Sequence, residues 1–277
     1  MTNPLSQYFR QPAIYIRLPS DGKFYPPGAF ETTENGEYPV LPMTTLDEIT
    51  YRTPDSLFNG SAVVSVIQSC MPNIKDAWKM PGMDIDTVLV AIRIATYGHE
   101  LDISTECPAC ENIADYAIDL RTVVDNIKSP AFGKQLLIGD LEIFLKPMSY
   151  RQMNENSMVQ FEEQKSLQML QDQNADDATK VLHIGEVLRK ITTVTTKALA
   201  QNIGLIKTPQ AQVSDINHIF EFLSNCDRTV FGKIRDYIIE NKQVAEIQPL
   251  KIQCGNCNHE YQQAITLDMS NFFGAAS

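Results

Sequence analysis

A chain of 277 residues, 43% hydrophobic and 21% charged, is long enough to bury its own core and too apolar to be disordered throughout. Its formal net charge of −11 argues against a surface that wraps phosphate backbones, which needs clustered lysine and arginine, and points instead to protein partners. The opening "MTNPLSQYFRQPAIYIRLPS" lacks the basic and apolar regions of a signal peptide, and no run of about 18 apolar residues occurs, so a soluble, non-exported chain with no membrane contact is expected.

Residues 1–42 read as an extended arm. "LPSDGKFYPPGAF" and "ENGEYPVLPM" are dense in proline and glycine, which excludes a long helix or a central strand, and "AIYIRL" supplies a short β-prone piece. Such an arm either packs on its own core or docks on a neighbouring subunit. Residues 43–99 read as helical. Thr45 and Glu48 have capping-box spacing. In "SAVVSVIQSCM", Val63, Ile67 and Cys70 or Met71 share a face, which makes Cys70 a small core residue. In "DIDTVLVAIRIATYG", Ile85, Val88, Leu89, Ile92 and Ala95 follow the i, i+3, i+4, i+7 rule, with Asp84 as the expected N-cap and Gly98 as the stop.

Residues 100–146 turn to β character: "HELDIST", then "ADYAIDL", then "KQLLIGDLEIFLKP" with Gly139-Asp140 as the turn of a hairpin. Residues 147–246 form a helical insertion. Ser149 and Gln152 open a Gln- and Met-rich helix to about Gln173, "NADDA" breaks it, and a second helix from about Ala178 to Asn202 carries Val181, Ile184, Leu188, Ile191 and Thr195 along one stripe, ending near Gly204. After the turn "GLIKTPQAQ", Ser214 caps a helix through Leu223, and "CDRTVFGKIRDYIIEN" adds another with Val230, Ile234, Tyr237 and Ile238 inward. Cys226, at their junction, has no catalytic signature around it.

Residues 247–277 hold "PLKIQCGNCNHEYQQAITLD", which parallels "LDISTECPACENIADYAIDL": a short strand, a C-x-x-C, a polar turn, a tyrosine and a second strand. Two such knuckles facing each other complete a tetrahedral zinc ribbon, with Cys107, Cys110, Cys254 and Cys257 as ligands of one structural zinc per chain. Residues 111–253 separate the pairs, against about 15–20 in ordinary ribbons, but a folded insertion can bring its ends together. Redox dithiols and coincidence are the competing readings. A redox pair belongs at a helix N-terminus, whereas strand-like sequence flanks each pair here. Four thiolates also leave no open position to activate water. His259 offers a substitute ligand or a thiolate partner, or is a surface turn residue. No lysine or arginine occurs from Ile252 to Ser277 or between Cys107 and Leu120, so the footprint of a nucleic-acid-binding ribbon is missing. Phosphate loops, nucleophile elbows and zinc-protease motifs are missing too. The expected fold is α+β: a predominantly helical body with an N-terminal extended arm and a small split β zinc ribbon that carries a long helical insertion.

"YIRLPSDGKFYPPGAF", "PVLPMTTLDEITYRTPDSLFNG", "VVSVIQSCMPNIKDAW", "VAIRIATYGHELDISTECPAC" and "YAIDL" together resemble the T-even-type bacteriophage baseplate protein family, the hub or hub-assembly proteins of contractile-tailed phages. The resemblance implies no catalytic residues and a non-enzymatic role in building the tail. Its expected partners are other baseplate hub or tail proteins, with the tape-measure protein or a second copy of the chain as further options and no nucleic acid. Two readings follow: a structural or assembly subunit in the virion, or a non-virion chaperone in the host cytoplasm that shields the tape-measure protein. The chaperone would need a soft apolar groove, for which Met153, Met158 and Met169 are the candidates. A zinc-dependent enzyme or nucleic-acid-binding ribbon is the remote alternative.

Overall fold

Ile14–Ile16 (β1) and Tyr38–Val40 (β2) pair antiparallel, with Ile14 opposite Val40 and Ile16 opposite Tyr38, so the proline- and glycine-rich residues between them form one long excursion from a two-stranded ladder. The computed structural model describes residues 3–53, 59–130, 132–171 and 177–264. The chain divides into two units, Met1–Ser129 with Val244–Ser277, and Pro130–Gln243. Of the expected break "NADDA", residues 174–176 lie outside the described residues and Asp177 and Ala178 open the next helix; the end of the last strand beyond 264 also lies outside them. No helix among the described residues is long and apolar enough to cross a membrane.

The first α-helices described in the first unit are Thr45–Tyr51 (α1), Ser61–Cys70 (α2) and Gly82–Tyr97 (α3). The cap of α1 is Thr44 with Asp47, one residue ahead of the expected Thr45 and Glu48. The reason lies outside the helix. Asp47 Oδ2 accepts from the Thr44 amide and hydroxyl (both 2.8 Å), from Arg10 (3.1 Å) and from the Ser69 hydroxyl (3.1 Å), so one carboxylate caps the helix and holds the arm. Burial pushes the Asp47 carboxyl up, but these donors and the Arg10 charge outweigh it and hold it below the usual carboxylate range. Arg10 also donates to the carbonyls of Pro42 and Ser69, each at 2.7 Å.

The helix α3 is the centre of this unit, with Val88, Leu89, Val90, Ala91 and Ile92 all buried, so its expected single apolar face is in fact buried on several sides. Gly98, at φ +91°, ends it as expected. Asp84 does not cap it: Pro81 holds that position, and Asp84 lies fully buried in the first turn. There it accepts from the Ser20 amide (2.8 Å), the Ser20 hydroxyl (2.6 Å) and the Tyr25 hydroxyl (2.9 Å), pinning the excursion to the core. Beside it Tyr25 stacks on Phe30 at 4.4 Å, and Gly22 passes so close that a Cβ there would meet the Phe30 ring at 2.9 Å. The unit continues through Glu100–Glu106 (β3), Ile113–Asp119 (β4) and Leu120–Asn126 (α4), and resumes after the second unit with Leu250–Gln253 (β9) and Glu260–Gln263 (β10).

Among the described residues, the second unit packs four helices with a four-stranded antiparallel sheet. Leu136–Ile138 (β5) and Leu141–Leu145 (β6) turn at Gly139, φ +57°, as expected. Tyr150–Gln171 (α5) opens with the expected Ser149–Gln152 box: the Ser149 amide donates to Gln152 at 3.0 Å, and the Gln152 amide to Ser149 at 3.4 Å. Asp177–Gln201 (α6) is followed by Ile203–Lys207 (β7), which pairs with β6, and by Gln212–Val213 (β8). The stretch "GLIK" was expected to be a turn. It is a strand because Ile203 and Ile206 fill the core shared with Ile143, Leu199 and Ile219. Ile216–Asn225 (α7) is capped by Asp215 rather than Ser214, its carboxylate accepting from the amides of Asn217 and His218. In Arg228–Ala245 (α8), Ile234 and Ile238 are buried and Val230 and Tyr237 partly so. Of the stripe expected on α6, Ile184, Leu188 and Thr195 are exposed, Ile191 is half-buried and the Val181 side chain lies outside the described ones, whereas Val187, Leu199 and Ala200 are buried.

Burial outweighs the three donors to Asp84 and pushes its carboxyl up to about 6. A raised folded pKa stabilises the protein fully at acid pH and less as pH rises through that value, so stability should fall from about pH 4 to about pH 6. Urea unfolding across this range should show that slope in the wild type and its loss in Asp84→Asn; an unchanged slope would refute the assignment.

Candidate metal centre

Each knuckle is built by its own backbone. In the first, the Cys107 amide donates to the Asn112 carbonyl (3.0 Å) and the Glu111 amide to the Cys107 carbonyl (2.9 Å). In the second, the Cys254 amide donates to the His259 carbonyl (2.9 Å) and the Asn258 amide to the Cys254 carbonyl (2.9 Å). Glu111 and Asn258, the residues after each pair, both take left-handed backbone, at φ 57° and 59°. The two loops are therefore the same turn. Each sits at the tip of an antiparallel hairpin, β3–β4 with Glu106 opposite Ile113, and β9–β10 with Gln253 opposite Glu260.

The hairpin tips face each other. Cys107 Sγ lies 3.7 Å from Cys257 Sγ, Cys110 Sγ lies 3.7 Å from Cys254 Sγ, and all four sulfurs fall within 4.8 Å of one another. Cys107 and Cys254 are buried, Cys110 is half-buried and Cys257 is exposed. The Thr105 hydroxyl donates to Gln263 at 2.6 Å, the Asn256 amide approaches Cys110 Sγ at 3.7 Å, and these contacts bridge the halves. Amides of Cys257 and Asn256 aimed at Cys254 lower its thiol to about 6, which favours the thiolate that a metal needs. Four sulfurs at this spacing can hold one tetrahedral ion and would saturate it.

All four cysteines singled out in the sequence are thus brought together, 144 positions apart for Cys110 and Cys254. His259 is not among them; its carbonyl closes the turn and its ring stacks on Tyr261 at 6.5 Å. Cys70 is fully buried in the first unit, and burial pushes its thiol up to about 12. Cys226 ends α7, its Sγ 3.6 Å from the Leu223 carbonyl. The residues that sequence reasoning missed are Glu111, Asn258 and Asn256. An asparagine just after the second pair was a legible signal for the left-handed turn.

Among family models, one described as T4 bacteriophage base plate protein matches residues 35–274. The chain belongs to this family. Both cysteine pairs and both units of this base plate protein lie within the matched span, apart from most of the arm and the last few residues. No curated protein and no solved structure matches it.

One ion shared by both pairs would carry a clear expectation for this base plate protein. Cys107→Ser and Cys254→Ser should each abolish tight metal binding, read by elemental analysis after chelator challenge. Retention of half the metal in either single variant would mean two separate sites.

Proposed function

We propose that the chain is a non-enzymatic structural or assembly subunit of the baseplate hub, whose split ribbon is clamped by one structural zinc held by Cys107, Cys110, Cys254 and Cys257. The family match over residues 35–274 is the observation that carries the tail role. The donor set supports zinc: four soft thiolates in tetrahedral reach suit zinc or an iron–sulfur centre, and the paired knuckles suit the former. Within the site, the turn amides aim at Cys254, while the hairpins set the spacing of the four sulfurs. A four-thiolate ion has no free position for a substrate, so the clamp supports assembly rather than catalysis.

A second reading, a chaperone that shields the tape-measure protein outside the virion, has one observation in its favour. The paired helices α5 and α6 expose Phe161 (49%), Leu182 (71%) and Leu188 (54%), apolar side chains that a partner helix could cover. Met153 is at the margin of exposure (36%) and Met158 is half-buried, so a methionine-lined groove is only partly present; the Met169 side chain lies outside the described ones. Quantitative mass spectrometry of purified particles separates the two. The hub reading predicts peptides of this chain in fixed ratio to other tail proteins; absence from particles with abundance in the lysate would overturn it in favour of the chaperone.

A further inference from the structure

β1 has β2 on one edge and no strand on the other among the described residues. The register shows which groups face outward. Tyr15 stands opposite Pro39, which has no N–H, so the ladder bonds fall on the Ile14–Val40 and Ile16–Tyr38 pairs. The N–H and C=O of Tyr15 therefore point away from β2, and no other backbone partner takes them among the described residues.

Tyr15 and Ile16 of β1 also line a cavity of about 420 Å³, within the size range of ligand pockets, which Glu37 lines from the β2 side. Residues 15–19 form one wall; Val124, Asp125 and Ile127, at the end of α4 and just beyond it, form the other. The Ser129 hydroxyl donates to the Pro19 carbonyl and ties the walls together. Thr87, on α3, also lines the cavity; it is 1% exposed, and its hydroxyl has no hydrogen-bond partner among the described residues. A buried hydroxyl left so is costly unless something else satisfies it. Of the carboxylates around the cavity, Glu37 pairs with Arg17 at 3.2 Å and Asp21 with Lys23 at 3.4 Å, whereas Asp125 makes no ion pair among the described residues.

We propose that this groove accepts an extended segment of a partner polypeptide, which adds as a strand to the outer edge of β1 and sets a lysine or arginine against Asp125. The strand edge favours an extended backbone, since a strand presents an N–H and a C=O at the spacing of those of Tyr15. Asp125 forms no close ion pair among the described residues, and Arg121, which feels its charge, is itself bonded to Asp119, so the carboxylate selects the cation. The partner is sought among tail proteins, so the proposal rests on the tail reading above.

The test uses the full chain and overlapping synthetic dodecapeptides that span the tail proteins of the same phage. A lysine- or arginine-bearing peptide should bind and slow amide exchange at Tyr15 by about tenfold or more, leaving Ile14 and Ile16, already bonded to β2, unchanged. Asp125→Lys should weaken that peptide by about tenfold or more while melting as the wild type does, because Asp125 is exposed. If no peptide binds, if binding leaves Tyr15 exchange unaltered, or if Asp125→Lys binds equally well, the proposal is wrong. Particles that contain the chain while no peptide binds would defeat the groove and leave the hub role standing.

Discussion

The meeting of four sulfurs, two from residues 107 and 110 and two from residues 254 and 257, is the constraint on which the first unit depends. Each hairpin has local reasons to form: a ladder, a tight turn and a left-handed residue after the second cysteine. Nothing local makes the two hairpins meet, because the whole of Pro130–Gln243 lies between them in sequence. A shared structural zinc would supply about 10–16 kcal/mol of apparent binding energy, comparable to the 5–15 kcal/mol total stability of an ordinary domain. Direct contacts such as Thr105 to Gln263 are worth about 1 kcal/mol each by comparison. Such an ion would close the unit, and the hydrogen bonds set its register.

The remainder of the first unit is held by a different device, the buried polar anchor. Arg10 and Asp47 fasten the chain ahead of β1 to the start of α1 and the end of α2, and Asp84 fastens residues 20–25 to the middle of the core. Proline and glycine deny this segment the ladders that would satisfy its backbone, so side chains of the helices do so instead. Ile16, Leu18, Tyr38 and Val40 are buried as a result. Among the described residues, the surfaces left open include the outer edge of β1 and apolar side chains on α5 and α6.

The parts of this architecture legible in the sequence were those set by local pattern. The helical periods of α2 and α3, the Gly98 stop, the Gly139 turn and the paired C-x-x-C knuckles all depend on residues near one another. The departures share a cause in long-range contact. Asp84 has the spacing of a cap, but a segment some sixty residues earlier claims its carboxylate. Thr44 displaces Thr45 as a cap because Asp47 answers Arg10 and Ser69 as well as its own helix. "GLIK" becomes β7 because β6 lies ready to pair with it, which no window of a few residues reveals. The stripe from Ile184 to Thr195 obeys helical spacing, yet the packing of α6 chooses Val187, Leu199 and Ala200 instead. At the metal centre the four cysteines were legible from spacing, whereas the turn residues Glu111 and Asn256 were not, since their contribution is backbone angle and reach.

The most direct test of the central claim is X-ray absorption at the zinc edge on the full chain purified under reducing conditions. The account predicts a single shell of four sulfur ligands at about 2.3 Å with no nitrogen or oxygen neighbour. A mixed shell, or one with fewer than four sulfurs, would mean that the two hairpins do not share one ion, and the closure of the first unit would need another explanation.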